Sequence, residues 1–490
     1  MAVKLSPRAP RLPMFLRGLH TDEYPTVSPT ERDLRVNTKV REAGPKSAKR
    51  ISMALADYWS GRQGTAAGLR AVDEAAGGGF YNIPKEAELD KAAADEALGG
   101  TQLIIDAQTH YISEKANYKE WNRLMIGTAD SVMADRFKGV QKLVFNQNEL
   151  GYSLAEYLRC VFLESETAVA VLTSAPGVEG TADKRSEIMR MLTNAEIYGT
   201  QELLDRLAGT GRILSHSIVH PNIEGQIDMM DRWKDWCSPA GWKVYTLYGS
   251  TGEGPFRWGE KSWLLDDEQI GVPFLERARD VGVPVICAHK GISAGCATGW
   301  DGPSSPKDVG PVAKAFPDIK FLIYHSGYET REGDLEEGPY KEEEYGLGTN
   351  RLIKSLRDAK IGQGSNVYGE MGTTWYQLMA HPVEAAHVLG KLLMALGEDN
   401  LIWGTDCIFY GPSQPMIDAF RAFQIPQEFS DRYGYPQLTP KVKEKILGLN
   451  AARIYGLDPD EVRAKVRNDD LAWVKEAMNE FSISGTPSAI

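Results

Sequence analysis

The sequence predicts an α/β protein folded as a (β/α)8 TIM barrel, with an N-terminal helical or irregular extension and a short C-terminal helical tail. From residue 101 onward, short apolar runs alternate with longer helical patterns, the texture of βαβ units feeding a parallel sheet. Eight such runs fall within about 300 residues, the count and span that a closed barrel needs. Polar residues able to do chemistry follow several of the runs directly, at the strand ends where barrel proteins assemble their sites.

Buried parallel strands read as nearly continuous apolar runs. In order these are Leu103-Ile104-Ile105, Ala168 to Leu172, Ile213 to Val219, Lys243-Val244-Tyr245, Val283 to Cys287, Ile319 to Tyr324, Val367 to Glu370, and Leu401-Ile402-Trp403. Between them, Asp267 to Val281 carries a helical pattern ending at Gly282, and Val309 to Phe316 stops before Pro317, each with an expected helix terminator. A doubly wound open sheet is the alternative. It is disfavoured because no GxGxxG follows the first run and because the polar residues lie at the ends of many strands rather than at one crevice.

Residues 1–100 differ in texture. Pro and Arg crowd the start, and helical stretches at Ser47 to Trp59 and Glu86 to Leu98 flank the break Gly77-Gly78-Gly79. Large apolar residues are too few there for an independent core, so the segment is expected to pack on the main domain or on another subunit, as an arm for a homo- or hetero-oligomer. The barrel is expected over residues 101–457 and the tail over 458–490.

With 55 Lys and Arg against 67 Asp and Glu, the net charge is -12. This disfavours a nucleic-acid role, which rests on neutralising phosphates. The acidic cluster Glu336, Glu337, Glu342, Glu343, Glu344 reads as a solvated loop or helix start. No stretch approaches the ~20 apolar residues of a membrane span. The N-terminus lacks the apolar segment and cleavage site of a secretory signal, so a cytoplasmic location is the default. Five cysteines, widely spaced and without CxxC pairs, argue against a disulfide framework or zinc ribbon; most of them are expected to be reduced and buried.

The first strand ends in Asp106-Ala107-Gln108-Thr109-His110, and period-2 alternation places Asp106, Gln108 and His110 on one face. His289, His325 and Asp406 each follow a separate apolar run. Three histidines and an aspartate converging on the barrel mouth form a ligand set that leaves an open position on a divalent metal. His216 and His220 have a helical spacing but sit in a run that reads as a strand. His381 and His387 fall in the helical stretch after the seventh strand and are expected to serve packing. Trp258, Trp263, Trp300, Tyr328 and Trp375 lie in or near loops that could wall a pocket, and the insertions Gly249 to Leu264 and Gly291 to Asp308 are long enough for a lid.

The ordered set Asp-x-x-x-His after strand one, Pro-Val-Ile-Cys-Ala-His-Lys-Gly, Phe-Pro-Asp-Ile-Lys-Phe-Leu-Ile-Tyr-His-Ser-Gly, Ile-Trp-Gly-Thr-Asp and Asn450-Ala451-Ala452-Arg453-Ile454-Tyr455-Gly456-Leu457 resembles the amidohydrolase-related family. That branch of the amidohydrolase superfamily contains aminocarboxymuconate-semialdehyde decarboxylase and γ-resorcylate decarboxylase. The resemblance implies that His110, His289 and Asp406 hold a divalent metal, zinc by expectation with manganese or iron as alternatives. It implies that His325 stands beside a metal-bound water as a proton carrier, and that Asp406 doubles as proton acceptor.

Gln108 departs from the usual His-x-His, which assigns it to substrate or to a site suited to a different metal. Lys243 starts the fourth strand where dinuclear members place a carbamylated lysine; a structural or substrate-binding role is expected over a bridging one. Glu370 is expected to orient substrate or to support the metal's ligands. The implied activity is metal-dependent hydrolysis or non-oxidative decarboxylation of a small polar, carboxylate-bearing substrate. The alternatives are an oxygen-dependent hydroxylase with two iron or manganese ions on the same barrel, and a metal-stabilised supporting subunit of a hetero-oligomer.

Overall fold

Eight parallel strands follow one another around a single sheet in chain order. They are β1 (Ile105–Thr109), β2 (Val169–Leu172), β3 (Ile213–Ile218), β4 (Gly241–Tyr245), β5 (Val285–His289), β6 (Lys320–Tyr324), β7 (Val367–Glu370) and β8 (Leu401–Ile402). The computed structural model describes residues 12–16, 29–113, 116, 152–175, 191–246, 262–292, 300–302, 304–329 and 336–484. The seam closes through backbone: Ala107 N–H donates to Trp403 O at 3.0 Å, Asp406 N–H to Gln108 O at 2.8 Å, and His110 N–H to Cys407 O at 2.7 Å. Such closure removes the exposed sheet edges.

All eight expected strands are present. Inside the cylinder, Ala107, Val285, Cys287, Leu322, Tyr324, Tyr368 and Ile402 pack on Ile454 of the helix Asn450–Tyr455. Lys320 donates from Nζ to Ile454 O at the start of β6, so this helix plugs the N-terminal end of the barrel and the open end lies at the strand C-termini. The outward residues Trp242, Val244, Ile286, Ala288, Phe321, Ile323 and Trp403 meet the surrounding helices in the main core.

Local sequence sets the helix limits. Asn194–Ala208 starts with a capping box, Thr193 accepting from the Glu196 amide while Glu196 reaches back, and ends on Gly209 at φ 72°, both strong terminus signals. The helices expected at 267–281 and 309–316 are observed as Gly271–Asp280 and Val309–Ala315.

The region before the barrel is helical, at Glu31–Arg50, Leu55–Ser60, Arg62–Ala75 and Lys91–Leu98. It packs on the last barrel unit. Arg62 donates from Nε and Nη2 to the Asp418 carboxylate, at 3.1 and 3.2 Å, and the Tyr81 hydroxyl donates to Met379 O. After Gly456 the chain forms Pro459–Arg467 and Asp470–Ser484, the helical tail.

Two expectations need revision. β1 carries a register irregularity between Asp106 and Thr109, which breaks the simple alternation: Asp106 accepts from the Thr405 amide and hydroxyl, whereas Gln108 and His110 meet Asp406. The acidic cluster is also not uniformly solvated. Glu342–Glu344 form an exposed 3-10 turn, but Glu337 is fully buried and receives Lys391 Nζ at 2.6 Å. Cys160, Cys237, Cys287 and Cys407 are buried and reduced, while Cys296, Trp258, residues 249–261 of the first insertion and residues 293–299 and 303 of the second lie outside the described residues. Among the described residues no helix is long and apolar enough to cross a membrane.

Candidate functional site

His110, at the C-terminal end of β1, is fully buried. Its Nδ1 lies 2.9 Å from Thr173 O. A carbonyl only accepts, so Nδ1 carries the hydrogen and Nε2 the lone pair. That Nε2 faces Asp406 Oδ1 at 3.1 Å. Two acceptors at this separation call for a positive group between them: a proton or a cation.

His325 is built the same way. Its Nδ1 donates to Gly372 O at 2.7 Å, leaving Nε2 to accept from His289 Nδ1 at 3.1 Å. His289 therefore has its hydrogen on Nδ1 and its lone pair on Nε2. Its ring stacks on Tyr245, with centroids 4.9 Å apart. Backbone carbonyls that fix the tautomer of an imidazole in this way are the usual support of metal-binding histidines.

The four residues thus form two pairs, His110 with Asp406 and His289 with His325. The segment after β7 joins them: Gly372 O receives His325, and the Thr373 hydroxyl donates to Asp406 Oδ2. The nitrogens and carboxylate oxygens of His110, His289 and Asp406 do not all lie within 4.8 Å of one another. Among the described residues only Glu336, His381 and Glu384 meet that measure. There the Arg32 guanidinium donates to Glu336 and abuts His381, so a protein cation already fills the position.

Gln108 spans the first pair. Its Nε2 donates to Asp406 Oδ1 at 3.0 Å and lies 3.5 Å from His110 Nε2, while its Oε1 is buried without a hydrogen-bond partner. His110, Asp406 and this orphaned oxygen fit a divalent cation by donor chemistry.

Glu370 ends β7, fully buried. One oxygen accepts from the His325 amide at 3.1 Å and the other from the Gly372 amide. Burial raises its carboxyl to about 7, against the opposing charge of His325. Burial likewise lifts Asp106 to about 7, although Thr405 bonds lower it. Neighbouring glycines are required here by space: a Cβ on Gly404 would stand 1.7 Å from Glu370 Oε1, and one on Gly372 would stand 2.3 Å from Gln108 Oε1.

Lys243 points inward from β4 with Nζ 3.8 Å from the centroid of the Tyr324 ring and 4.6 Å from that of Tyr245. Below the mouth, His216 is held between the Tyr324 and Tyr455 hydroxyls, each at 3.1 Å, and burial lowers its pKa to about 3.

Sequence reasoning missed Thr373 and Tyr410. Thr373 Oγ1 touches both Asp406 and the Tyr410 hydroxyl. Three residues at the site occupy left-handed backbone: His325 at φ 66°, Thr373 at φ 54° and Asp406 at φ 60°. A β-branched residue there is a clear outlier, and strain of this kind gathers at functional sites. The only sequence signal was that Thr373 follows a strand end by three residues.

A model of the amidohydrolase family matches residues 253–457. No curated protein matches the chain. Solved structures similar to it include an uncharacterized TIM-barrel protein from Bordetella bronchiseptica, with 14% identity, coverage of 72% of this chain and 98% of that one, and a TM-score of 0.41. 5-Carboxyvanillate decarboxylase from Novosphingobium aromaticivorans, complexed with manganese, has 12% identity, 73% and 96% coverage, and a TM-score of 0.42. 2,6-Dihydroxybenzoate decarboxylase from Rhizobium has 13% identity, 73% and 99% coverage, and a TM-score of 0.40. The matched segment begins after Lys243, so Gln108, His110 and Lys243 lie outside it. Residues 253–457, which supply β5 to β8 and with them His289, His325, Glu370 and Asp406, match the amidohydrolase family model, in agreement with the resemblance read from the motifs.

Proposed function

We propose that this chain is a metal-dependent enzyme of the amidohydrolase type, which holds one divalent cation at the barrel mouth and carries out hydrolysis or non-oxidative decarboxylation of a small polar, carboxylate-bearing substrate. The observation that carries this reading is the 3.1 Å approach of His110 Nε2 to Asp406 Oδ1, two acceptors held face to face by fixed backbone bonds. The family match supports an enzyme.

When bound, a divalent cation polarises a substrate oxygen and lowers the pKa of a coordinated water. His110 and Asp406 would hold it; His289, expected as third ligand through the nitrogen that bears its lone pair, does not gather with them within 4.8 Å and would have to close on them. Zinc is the first expectation, with manganese or iron as alternatives. His325 accepts a proton at Nε2, the atom now bonded by His289. The orphaned Oε1 of Gln108 would complete the donor set beside His110 and Asp406. Glu370 has both oxygens committed to backbone amides, so its part is to hold the His325 and Gly372 backbone in place.

Lys243 distinguishes one metal from two. An ammonium is attracted to the negative faces of Tyr324 and Tyr245, whereas a carbamate is an anion and is repelled by them. The cation–π contacts therefore favour an uncarbamylated lysine and one metal, and with them the hydrolase or decarboxylase reading over the dinuclear hydroxylase.

The test is turnover of 5-carboxyvanillate and 2,6-dihydroxybenzoate, the substrates named for the similar structures, together with small carboxylate-bearing amides. Each is assayed with Zn2+, Mn2+ or a chelator, and with His110→Ala. Turnover that needs the metal and His110 supports the reading; turnover that survives both chelation and the substitution overturns it.

A further inference from the structure

We propose that Thr373 and Tyr410 form a one-way hydroxyl relay that fixes the Asp406 carboxylate for metal binding, as positioning residues that touch neither metal nor substrate. The inference rests on the reading of Asp406 as a metal ligand. The direction of the relay follows from hydrogen counting. Asp406 Oδ2 can only accept, so the single hydroxyl hydrogen of Thr373 goes to it. The Tyr410 hydroxyl, 2.6 Å from Thr373 Oγ1, must then donate to that oxygen. Tyr410 is itself immobilised by stacking on Tyr376, with centroids 3.8 Å apart and planes at 15°.

All three residues are fully buried, so water cannot replace a lost donor. The left-handed backbone at Thr373, with φ 54° and ψ -41°, is the second observation. A β-branched residue holds this conformation only where its surroundings enforce it, and the side chain it carries is the one that reaches Asp406. The relay occupies Oδ2, so Oδ1 is the oxygen turned toward His110.

The test is Mn2+ affinity of the full-length chain, measured by electron paramagnetic resonance of free Mn2+ in wild type, Thr373→Val, Thr373→Ser, Tyr410→Phe and the Thr373→Val/Tyr410→Phe double variant, with melting of each metal-free form as the fold control. Thr373→Val should bind roughly 10- to 100-fold more weakly, the usual effect of losing a ligand's supporting partner. Thr373→Ser should retain affinity, Tyr410→Phe should lose part of it, and the double variant should be no weaker than Thr373→Val. Unchanged affinity in Thr373→Val, or a Tyr410→Phe loss of equal size in both backgrounds, overturns the relay. If Thr373→Val does not fold, unchanged affinity in Tyr410→Phe overturns it. A wild-type chain that binds neither Mn2+ nor Zn2+ sinks the metal reading and the relay together, whereas wild-type binding with an indifferent Thr373→Val sinks the relay alone.

Discussion

Nε2 of His110 lies 3.1 Å from Oδ1 of Asp406 across the seam where β8 closes on β1, and the Gln108 amide bridges them. Gln108 stands where an imidazole is usual for the resembling family, and a neutral amide is a weaker ligand for zinc than an imidazole. Gln108→His should therefore tighten Zn2+ binding, on the order of tenfold. Competition against a chromophoric chelator measures it. Weaker binding in a variant that melts like wild type would mean that Gln108 serves the site by its bond to Asp406.

The glycines at the mouth give a steric prediction. Gly404→Ala places a methyl 1.7 Å from Glu370 Oε1, and that oxygen cannot retreat without leaving the Gly372 amide. Overpacking of this kind costs about 1–3 kcal/mol. Chemical denaturation should show that loss, and a variant as stable as wild type would show that Glu370 is free to move.

His387, in the helix Pro382–Leu396, bonds the Tyr435 hydroxyl at 3.0 Å, and burial lowers its pKa to about 4. Unfolded, it titrates near 6.5, so between the two values the unfolded chain binds the extra proton. This residue's contribution is complete above about pH 6.5, is lost as the pH falls, and is fully lost below about 4. His387→Gln can keep the Tyr435 bond without titrating. Relative to that variant, wild type should lose up to about 3 kcal/mol between pH 7.5 and 4. A stability difference that stays constant with pH would contradict the burial account.

The barrel was legible because its strands are apolar runs that need no distant partner to be recognised, and because His110, His289, His325 and Asp406 each follow such a run. Their pairing was not legible. Which acceptor faces which donor depends on the closing seam, on the β1 irregularity that separates Asp106 from Gln108, and on left-handed backbone at Thr373, and none of these leaves a periodic trace. Glu337 shows the same limit: it reads as one of several surface acids between β6 and β7, yet Lys391, 54 residues further on in the helix after β7, takes it into the interior.

The helices before the barrel are fastened by charge. Arg62 donates twice to Asp418, whose side chain is 2% exposed, and also reaches Glu166. Arg62→Met keeps the aliphatic stem and leaves the buried carboxylate to Gln414 and Arg421; breaking a fully buried pair costs about 3–5 kcal/mol. With Arg62 partly solvated, about 1–3 kcal/mol is expected, read as a lower urea midpoint. An unchanged midpoint would show that apolar packing alone seats this segment.

The most direct test of the central claim is the metal content of the full-length chain as purified, set beside Asp406→Asn, which keeps size and shape but removes the charge facing His110. The account predicts one divalent cation per chain in wild type and little or none in the variant, both folded. Equal occupancy in the two proteins would contradict it, because the cation would then be held somewhere other than between His110 and Asp406.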